Sequence, residues 1–435
     1  MKYFLAVDIG ATSARHILAH YQNGELALEE IYRFRTPLIQ EGEGHCHWDV
    51  EVLFKEILAG MKKAKELGKV PSSMGIDCFG VDYALLDRND ERIGLVQSYR
   101  DVRTFQAQKD FMTPEGLFLA TGVFPQNFDS AYQLYCDKQS GKLAKAKTFM
   151  MLPSYLCYLL TGVKQNELSS LSTSALLDER SGTPCKEVFS ALGIDESLLA
   201  PIVPAGTKLG FLLQEIQNEV GYDCEVYATL EHDTAAAFFA SGAQEGDVLL
   251  SSGTWSLLGR VLPSPIISEA AYQAGFTNEL SHPGEVRFLQ NIMGMWIVNR
   301  LKDELKISSF PEITASAERS MSYPGVFDVT DGRLSNPESM KECVESLLAE
   351  KGHENPKTYG ELFYSVYHSL ALGYKGAIAN MEKLTGSKAK AICVFGGGVN
   401  AEILNSLTEK ETGLPIRRGP SEATAIGNLL CFARE

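Results

Sequence analysis

No stretch of this 435-residue sequence carries the run of about 18–20 apolar residues that a membrane-spanning helix needs. The opening, MKYFLAVDIGATSARH, has one lysine, an apolar run broken by Asp8 and no small-residue cleavage site, so it does not read as a secretory leader. Cysteine occurs nine times but never as a C-x-x-C pair. Scattered, odd-numbered thiols of this kind fit a reducing, cytoplasmic setting. Basic charge is scarce: 40 Lys and Arg face 55 Asp and Glu, for a net charge of −15. Such a chain repels phosphate backbones and anionic lipid, so no nucleic-acid or membrane partner is expected. An anionic ligand would need a local site of backbone N–H groups, a metal or a few basic side chains. The G-x-x-x-x-G-K-[ST] loop is absent, which excludes a P-loop nucleotide site. His45-Cys46-His47 looks like a metal cluster, but neighbouring side chains seldom converge on one centre, so it is read as a loop.

What is present suits a soluble globular protein of two or three domains: 45% of residues are hydrophobic, enough for a large core. YFLAVDIG and ARHILAHY read as a hairpin around a Gly-Ala-Thr-Ser turn. Residues 51–67 have helical spacing, SSMGIDCFGVDYALLD gives two strands around a glycine corner, and 104–145 and 150–161 are mainly helical. The second half opens with the strand EVYATL and has a second hairpin, DVLLSSGTWSLLGRVL. Helices follow at 339–351 and 359–384, then the strand AICVF, three glycines and two more helices. Gly10-Ala11-Thr12-Ser13 and Gly253-Thr254-Trp255-Ser256 share a Gly-x-x-Ser core half a chain length apart, each between two strands. A hairpin repeated in each half predicts two similar lobes. The boundary is placed in SGAQEGD (241–247), giving lobes 1–243 and 244–435.

The chemistry-bearing residues cluster at these turns. A glycine and hydroxyl turn exposes N–H and Oγ donors that can hold phosphate. Asp8 ends the first strand, either as a cap of the turn through its own backbone or as a hard oxygen ligand for Mg²⁺. Arg15 stands within reach of the same turn, for phosphate or simply on the strand surface. Gly396-Gly397-Gly398, between a buried strand and a helix, lets a ligand approach the backbone closely. LEHDTAAAFFASG (230–242) puts His232, Asp233 and Thr234 at the start of a small apolar helix, where a plain cap would need only a serine.

In this company the chain resembles the FGGY sugar kinases of the actin–hexokinase–Hsp70 superfamily. The resemblance rests on VDIGATSAR, WDV, GIDCFGVDYALLD, YRDVRT, HDTAAA, LSSGTWSLLG, NIMGMW, GGGVN and EATAIGN, in order along the whole chain. Within the family it is closest to the branch acting on L-rhamnulose; L-fuculose, L-xylulose and L-ribulose are the alternatives. Asn299 departs from that branch's usual glutamine, residues 121–134 follow its pattern loosely, and the chain ends soon after Asn428, where relatives usually continue with further helix.

The resemblance implies an α/β fold of two ribonuclease H-like lobes with an interlobe cleft. It implies ATP and Mg²⁺ as cofactors and a small-molecule ketose as acceptor, in a monomer or homodimer. Asp233 would be the general base, ionised at an ordinary pKa of about 3.9, flanked by His232 and Thr234 on the sugar. Gly80 would lie against the ketose, with Asp82 a second sugar ligand or a turn residue. Ala11, Thr12, Ser13, Ala14, Arg15 and Thr254 would hold the phosphates, and Asn291, Asn299 and Gly397 the nucleotide. Asp8 would organise the metal, and Trp255 reads as core. A repressor or chaperone of the superfamily would carry a helix-turn-helix or a long peptide-binding region, and the sequence shows neither. An inactive sugar-binding relative is the other reading from outside the enzyme class.

Overall fold

The computed structural model describes every residue except Thr254, Pro283, Asn336 and Glu435. Thr254, expected at the phosphates, therefore lies outside the described residues.

The first hairpin forms as expected: Tyr3–Ile9 pairs antiparallel with Ser13–Gln22, Asp8 opposite Arg15. Tyr3–Ile9 is buried along almost its whole length, as a central strand must be when both faces are covered. A third strand, Glu25–Arg35, follows through Asn23-Gly24, both at positive φ (53° and 82°). That dipeptide supplies the left-handed pair a tight hairpin requires. On its other side Tyr3–Ile9 runs parallel to Pro71–Cys78, with Asp8 beside Asp77. Side chains level with one another on neighbouring strands share a face, so the two carboxylates project together. The sheet continues through Glu225–Ala228 to Thr207–Phe211.

The second half repeats the plan. Asp247–Ser252 lies between an antiparallel partner, Trp255–Leu262, and a parallel one, Ala391–Phe395. Glu285–Met293 extends one side and Ile416–Arg418 the other. In each six-stranded sheet the first strand of the hairpin thus lies between its antiparallel hairpin partner and a parallel strand from later in the chain, the repeat announced by the two Gly-x-x-Ser turns. The helices Val50–Glu66, Leu152–Thr161, Met340–Glu350 and Tyr359–Thr385 occupy the predicted spans within a residue or two. His45-Cys46-His47, read as a loop, belongs instead to the strand His45–Trp48. Strand alternation sends successive side chains to opposite faces, and His45 meets Asp101 at 3.2 Å. Among the described residues no helix is long and apolar enough to cross a membrane.

The chain forms two compact units, but one cut near residue 243 does not separate them. The first unit comprises Met1–Ala240, Val261–Phe288 and Thr424–Glu435; the second comprises Ser241–Arg260 and Leu289–Ala423. The returning segments belong to the first unit because their apolar residues are buried there. Ala425, Leu429 and Phe432 pack on Phe4, Ala6, Ile17 and Ala19, while Leu280 and Val286 join Leu168, Leu171 and Leu177.

The last helix, Ala423–Leu430, also bears on the site. A side chain at Gly427 would bring its Cβ within 1.9 Å of the Ala236 carbonyl, on the helix Asp233–Phe239. Beside it, Asn428 donates to Asp77 at 2.6 Å. Gly427→Ala should therefore destabilise the protein by about 1–3 kcal/mol, as overpacking does. Urea unfolding checks the stability.

Candidate functional site

Glu231-His232-Asp233-Thr234 sits where the strand Glu225–Ala228 gives way to a helix. Cys78 N–H donates to the Glu231 carbonyl at 2.9 Å, and Cys78 bridges to His232, tying this turn to the end of Pro71–Cys78. Asp233 is the first residue of the helix Asp233–Phe239, and the cap residue, His232, makes no side-chain capping bond. Asp233 Oδ1 accepts from Thr234 N at 2.5 Å and from Thr234 Oγ1 at 3.1 Å. The side chain of Asp233 keeps 32% of its surface open. Its other oxygen is thus available, which a capping role alone does not account for.

The turn rests on buried polar side chains that sequence reading missed. Glu167 accepts from Ser169 N, Ser169 Oγ, Ser170 N and Glu231 N at 2.5–3.2 Å. Ser169 Oγ in turn accepts from His232 N at 3.3 Å. Glu231 is held by Ser154 (2.5 Å) and Gln165 (2.8 Å). Behind His232 lie Arg287, wholly buried, and Glu279. The only sequence signal for this floor was unusual polarity, ELSSLSTS, within an otherwise apolar region.

Three carboxylates of the first unit feel one another. Burial, then repulsion from Asp8, pushes the Asp233 carboxyl up to about 7. That direction departs from the expectation of an aspartate near 3.9, although the side chain keeps 32% of its surface open. Burial and Asp8 also drive Asp77 well above the usual range, against a lowering bond from Asn428. Arg15 is no surface strand residue, since its guanidinium meets Asp8 at 2.5 Å. Asp77 Oδ1 is buried without a partner. One or two carboxylates with open oxygens are what Mg²⁺ takes from a protein when phosphates and water complete its shell. Asp8 fits that pattern; Asp77, 0% exposed, stands beside it with an enclosed, unpartnered oxygen.

Gly80 lies in the turn after Pro71–Cys78, where a Cβ would come within 2.7 Å of Thr173 Oγ1. That hydroxyl also accepts from Val81 N at 3.0 Å. Val81 has φ +69°, a costly conformation for a β-branched residue. It is held there by Thr173 and by Ser130, which donates to the Val81 carbonyl at 2.5 Å. Asp82 differs from the sugar-ligand expectation. It is 0% exposed, and its carboxylate is taken up by Trp48 Nε1 (2.6 Å), Tyr99 N (3.0 Å) and Gln133 Nε2 (3.0 Å). Its role in this structure is to seat Trp48 and the segment at Tyr99, whose rings cluster with Phe79.

At the first turn, Thr36 ties down the Gly10 carbonyl through Oγ1 at 2.6 Å, and Gly10 N–H closes on Ser13 O at 3.1 Å. Among the described residues the N–H groups of Ala11 and Thr12 find no acceptor, which leaves two backbone donors for phosphate, beside Ser13; Ala14 is buried in the strand that follows. In the second unit, Gly398 has no room for a Cβ, which would overlap Ser252 Oγ at 2.0 Å, and Gly396 has φ +74°. Gly397 is exposed with open space where a side chain would be, so its face is free for a ligand. Asn291 Oδ1 is buried without a partner, and Asn299 lies half-buried on the helix Trp296–Glu304. Trp255, expected in the core, is half-buried.

Residues 3–240 match the N-terminal domain, and residues 248–435 the C-terminal domain, of the FGGY family of carbohydrate kinases. The chain belongs to this family. It is a sugar kinase, an enzyme that phosphorylates a sugar at the expense of ATP. Its relatives include the rhamnulokinase of Oceanobacillus iheyensis, 38% identical over 98% of this chain and 92% of the relative. The rhamnulokinases of Bacillus subtilis (35% identical; 98% and 89% covered) and Bacteroides thetaiotaomicron (34%; 99% and 90%) are similar too. In fold the chain resembles a xylulose kinase from Lactobacillus acidophilus, with a TM-score of 0.83 at 15% identity over 99% of this chain and 89% of that one. It also resembles the glycerol kinase of Plasmodium falciparum, at 0.80 and 14% identity over 99% and 89%.

Were Asp233 the general base, its raised carboxyl would set the pH dependence of this kinase. An aspartate raised to about 7 is protonated, and useless as a base, below that pH. With ATP saturating, kcat/KM for the sugar should therefore rise about tenfold per pH unit up to a midpoint near 7 and then level off. An acid limb near pH 4 would show that Asp233 is not desolvated in the working enzyme.

Proposed function

We propose that this kinase transfers the γ-phosphoryl group of ATP to the 1-hydroxyl of L-rhamnulose, with Asp233 as general base. The substrate reading is supported by relatives named rhamnulokinase that match at 34–38% identity along nearly the whole chain. The assignment of the base is carried by one observation: Asp233 offers a carboxylate with an open oxygen at a helix start, with its proton affinity raised beside Asp8.

The sugar hydroxyl oxygen attacks the γ-phosphorus, the bond from that phosphorus to the bridging oxygen breaks, and ADP leaves. The hydroxyl proton passes to Asp233. Phosphoryl transfer is loose and needs positioning and charge stabilisation more than covalent help, so the base orients the hydroxyl first and takes its proton late. His232 and Thr234 hold neighbouring sugar oxygens. Gly80 lets the ketose approach the backbone, and Asp82 acts from beneath by seating Trp48 and Tyr99. The turn Ala11–Ser13 and Arg15 take phosphate oxygens, with Ala14 in the strand that follows; Thr254 is assigned to the phosphates from its sequence position in the second Gly-x-x-Ser turn. Asn291, Asn299 and Gly397 take the nucleoside. Asp8 would hold Mg²⁺, with Asp77 level with it on the neighbouring strand, and the cation would supply positive charge to the phosphates. The net negative charge is no obstacle, since the acceptor is neutral and the phosphates meet local N–H groups.

Asp233→Asn keeps the bonds from Thr234 and removes the base. Turnover should fall by about 10²–10⁴ while ATP still binds, as isothermal calorimetry would show. Thermal stability at pH 8 should hold or rise, because a carboxylate repelled by Asp8 is gone; full turnover in this variant would dismiss the assigned role. For the substrate, an ATP-consumption assay over L-rhamnulose, L-fuculose, L-xylulose and L-ribulose should show the highest kcat/KM for L-rhamnulose. Equal or better use of another sugar overturns that choice.

A further inference from the structure

His232 stands in an unusual setting: one of its ring nitrogens faces a buried arginine. Arg287, on the strand Glu285–Met293, is 0% exposed, and one of its terminal nitrogens lies 3.1 Å from His232 Nδ1. A guanidinium can only donate, so Nδ1 must present its lone pair and the ring proton must sit on Nε2. His232 Nε2 is 3.4 Å from Asp233 Oδ1. The competing group is Glu279, whose Oε2 lies 3.6 Å from the same Nδ1 and would favour the opposite tautomer. That oxygen is nearer to Arg287, at 3.0 Å, so it pairs with the arginine instead. Arg287 also reaches the Leu280 carbonyl, at 3.5 Å.

We propose that Arg287, neutralised by Glu279, is a positioning residue that fixes His232 as the Nε2–H tautomer, making His232 a hydrogen-bond donor to the sugar oxygen beside the one that Asp233 deprotonates. This rests on Asp233 and His232 acting on the sugar. Burial and the charge of Arg287 hold the histidine neutral, far below its usual pKa. The charged and titratable groups around the pair are Glu279, Glu179, Glu167 and Asp233 about Arg287, with Asp8 and Asp77 on the far side of Asp233. With acceptor and donor fixed side by side, the site matches a sugar bearing two adjacent oxygens, one giving its proton to Asp233 and the other accepting from His232. Neither nitrogen of His232 is left to compete for the proton that Asp233 must take.

The test is long-range ¹H–¹⁵N correlation of the histidine rings in the full-length protein, with His232 assigned by its loss in His232→Asn. Wild type should show a bare Nδ1 and a protonated Nε2, unchanged between about pH 5.5 and 8. Arg287→Met should move the proton toward Nδ1, which can then donate to Glu279. It should also lower kcat roughly 10- to 100-fold, the scale on which outer partners of a functional histidine act, with KM for ATP unchanged. Arg287→Lys keeps charge and donor and should retain the Nε2–H form and most of the turnover. If Arg287→Met does not fold, the wild-type and Arg287→Lys spectra decide. A protonated Nδ1 or a charged ring in wild type, or an unmoved tautomer in folded Arg287→Met, overturns the proposal. Failure of the parent reading looks different: Asp233→Asn would stay active whichever tautomer the spectrum shows.

Discussion

Asp8, Asp77 and Asp233 approach one another in a desolvated part of the first unit, and the rest of the site depends on how their repulsion is contained. Neighbouring strands in register put Asp8 and Asp77 on one face. The helix beginning at Asp233 brings the third carboxylate into the same field. Left alone, such charges would take up protons or force the strands apart. Arg15 answers Asp8 and Asn428 answers Asp77, each through one oxygen, and Thr234 answers Asp233 with two hydrogen bonds to a single oxygen. None of these bonds uses up both oxygens of its carboxylate. A kinase needs carboxylate oxygens held in place yet able to meet a cation or a hydroxyl proton, and Asp8 and Asp233 each keep one oxygen outside these bonds.

This arrangement explains why residues distant in sequence occur together. Asn428 comes from the last helix, which reaches Asp77 only because Gly427 lets it lie against Ala236. Arg287 and Glu279 come from a segment that returns to the first unit after the chain has begun the second. The polar floor of Glu167, Ser169 and Glu231 fixes the backbone of the His-Asp-Thr turn from below. Buried polar networks of this sort cost stability unless fully bonded, and Glu167, with four donors, meets that condition.

Much of this was legible in the sequence, where local chemistry dictates local structure. The two Gly-x-x-Ser hairpins, the strand-to-glycine-to-helix passage at 391–400 and the helix after Asp233 follow from turn residues and apolar spacing, and they form as read. What was not legible depends on three-dimensional neighbours. The role of Asp82 turned on three donors from positions 48, 99 and 133. The proton affinity of Asp233 turned on dryness and on Asp8, neither visible in a string of letters. The third strand was signalled by Asn23-Gly24 and passed over. Arg287 had no local signal at all, being one basic residue in an ordinary strand.

The claim beneath all of this is that Asp233 holds a proton with an affinity near neutrality because its surroundings are dry and negatively charged. The direct measurement is difference infrared titration of the ¹³C-aspartate-labelled protein, taking Asp233→Asn as the subtraction reference. The account predicts that the Asp233 carboxyl band gives way to carboxylate with a midpoint near pH 7. A carboxylate already fully ionised at about pH 5, as an ordinary aspartate would be, contradicts it.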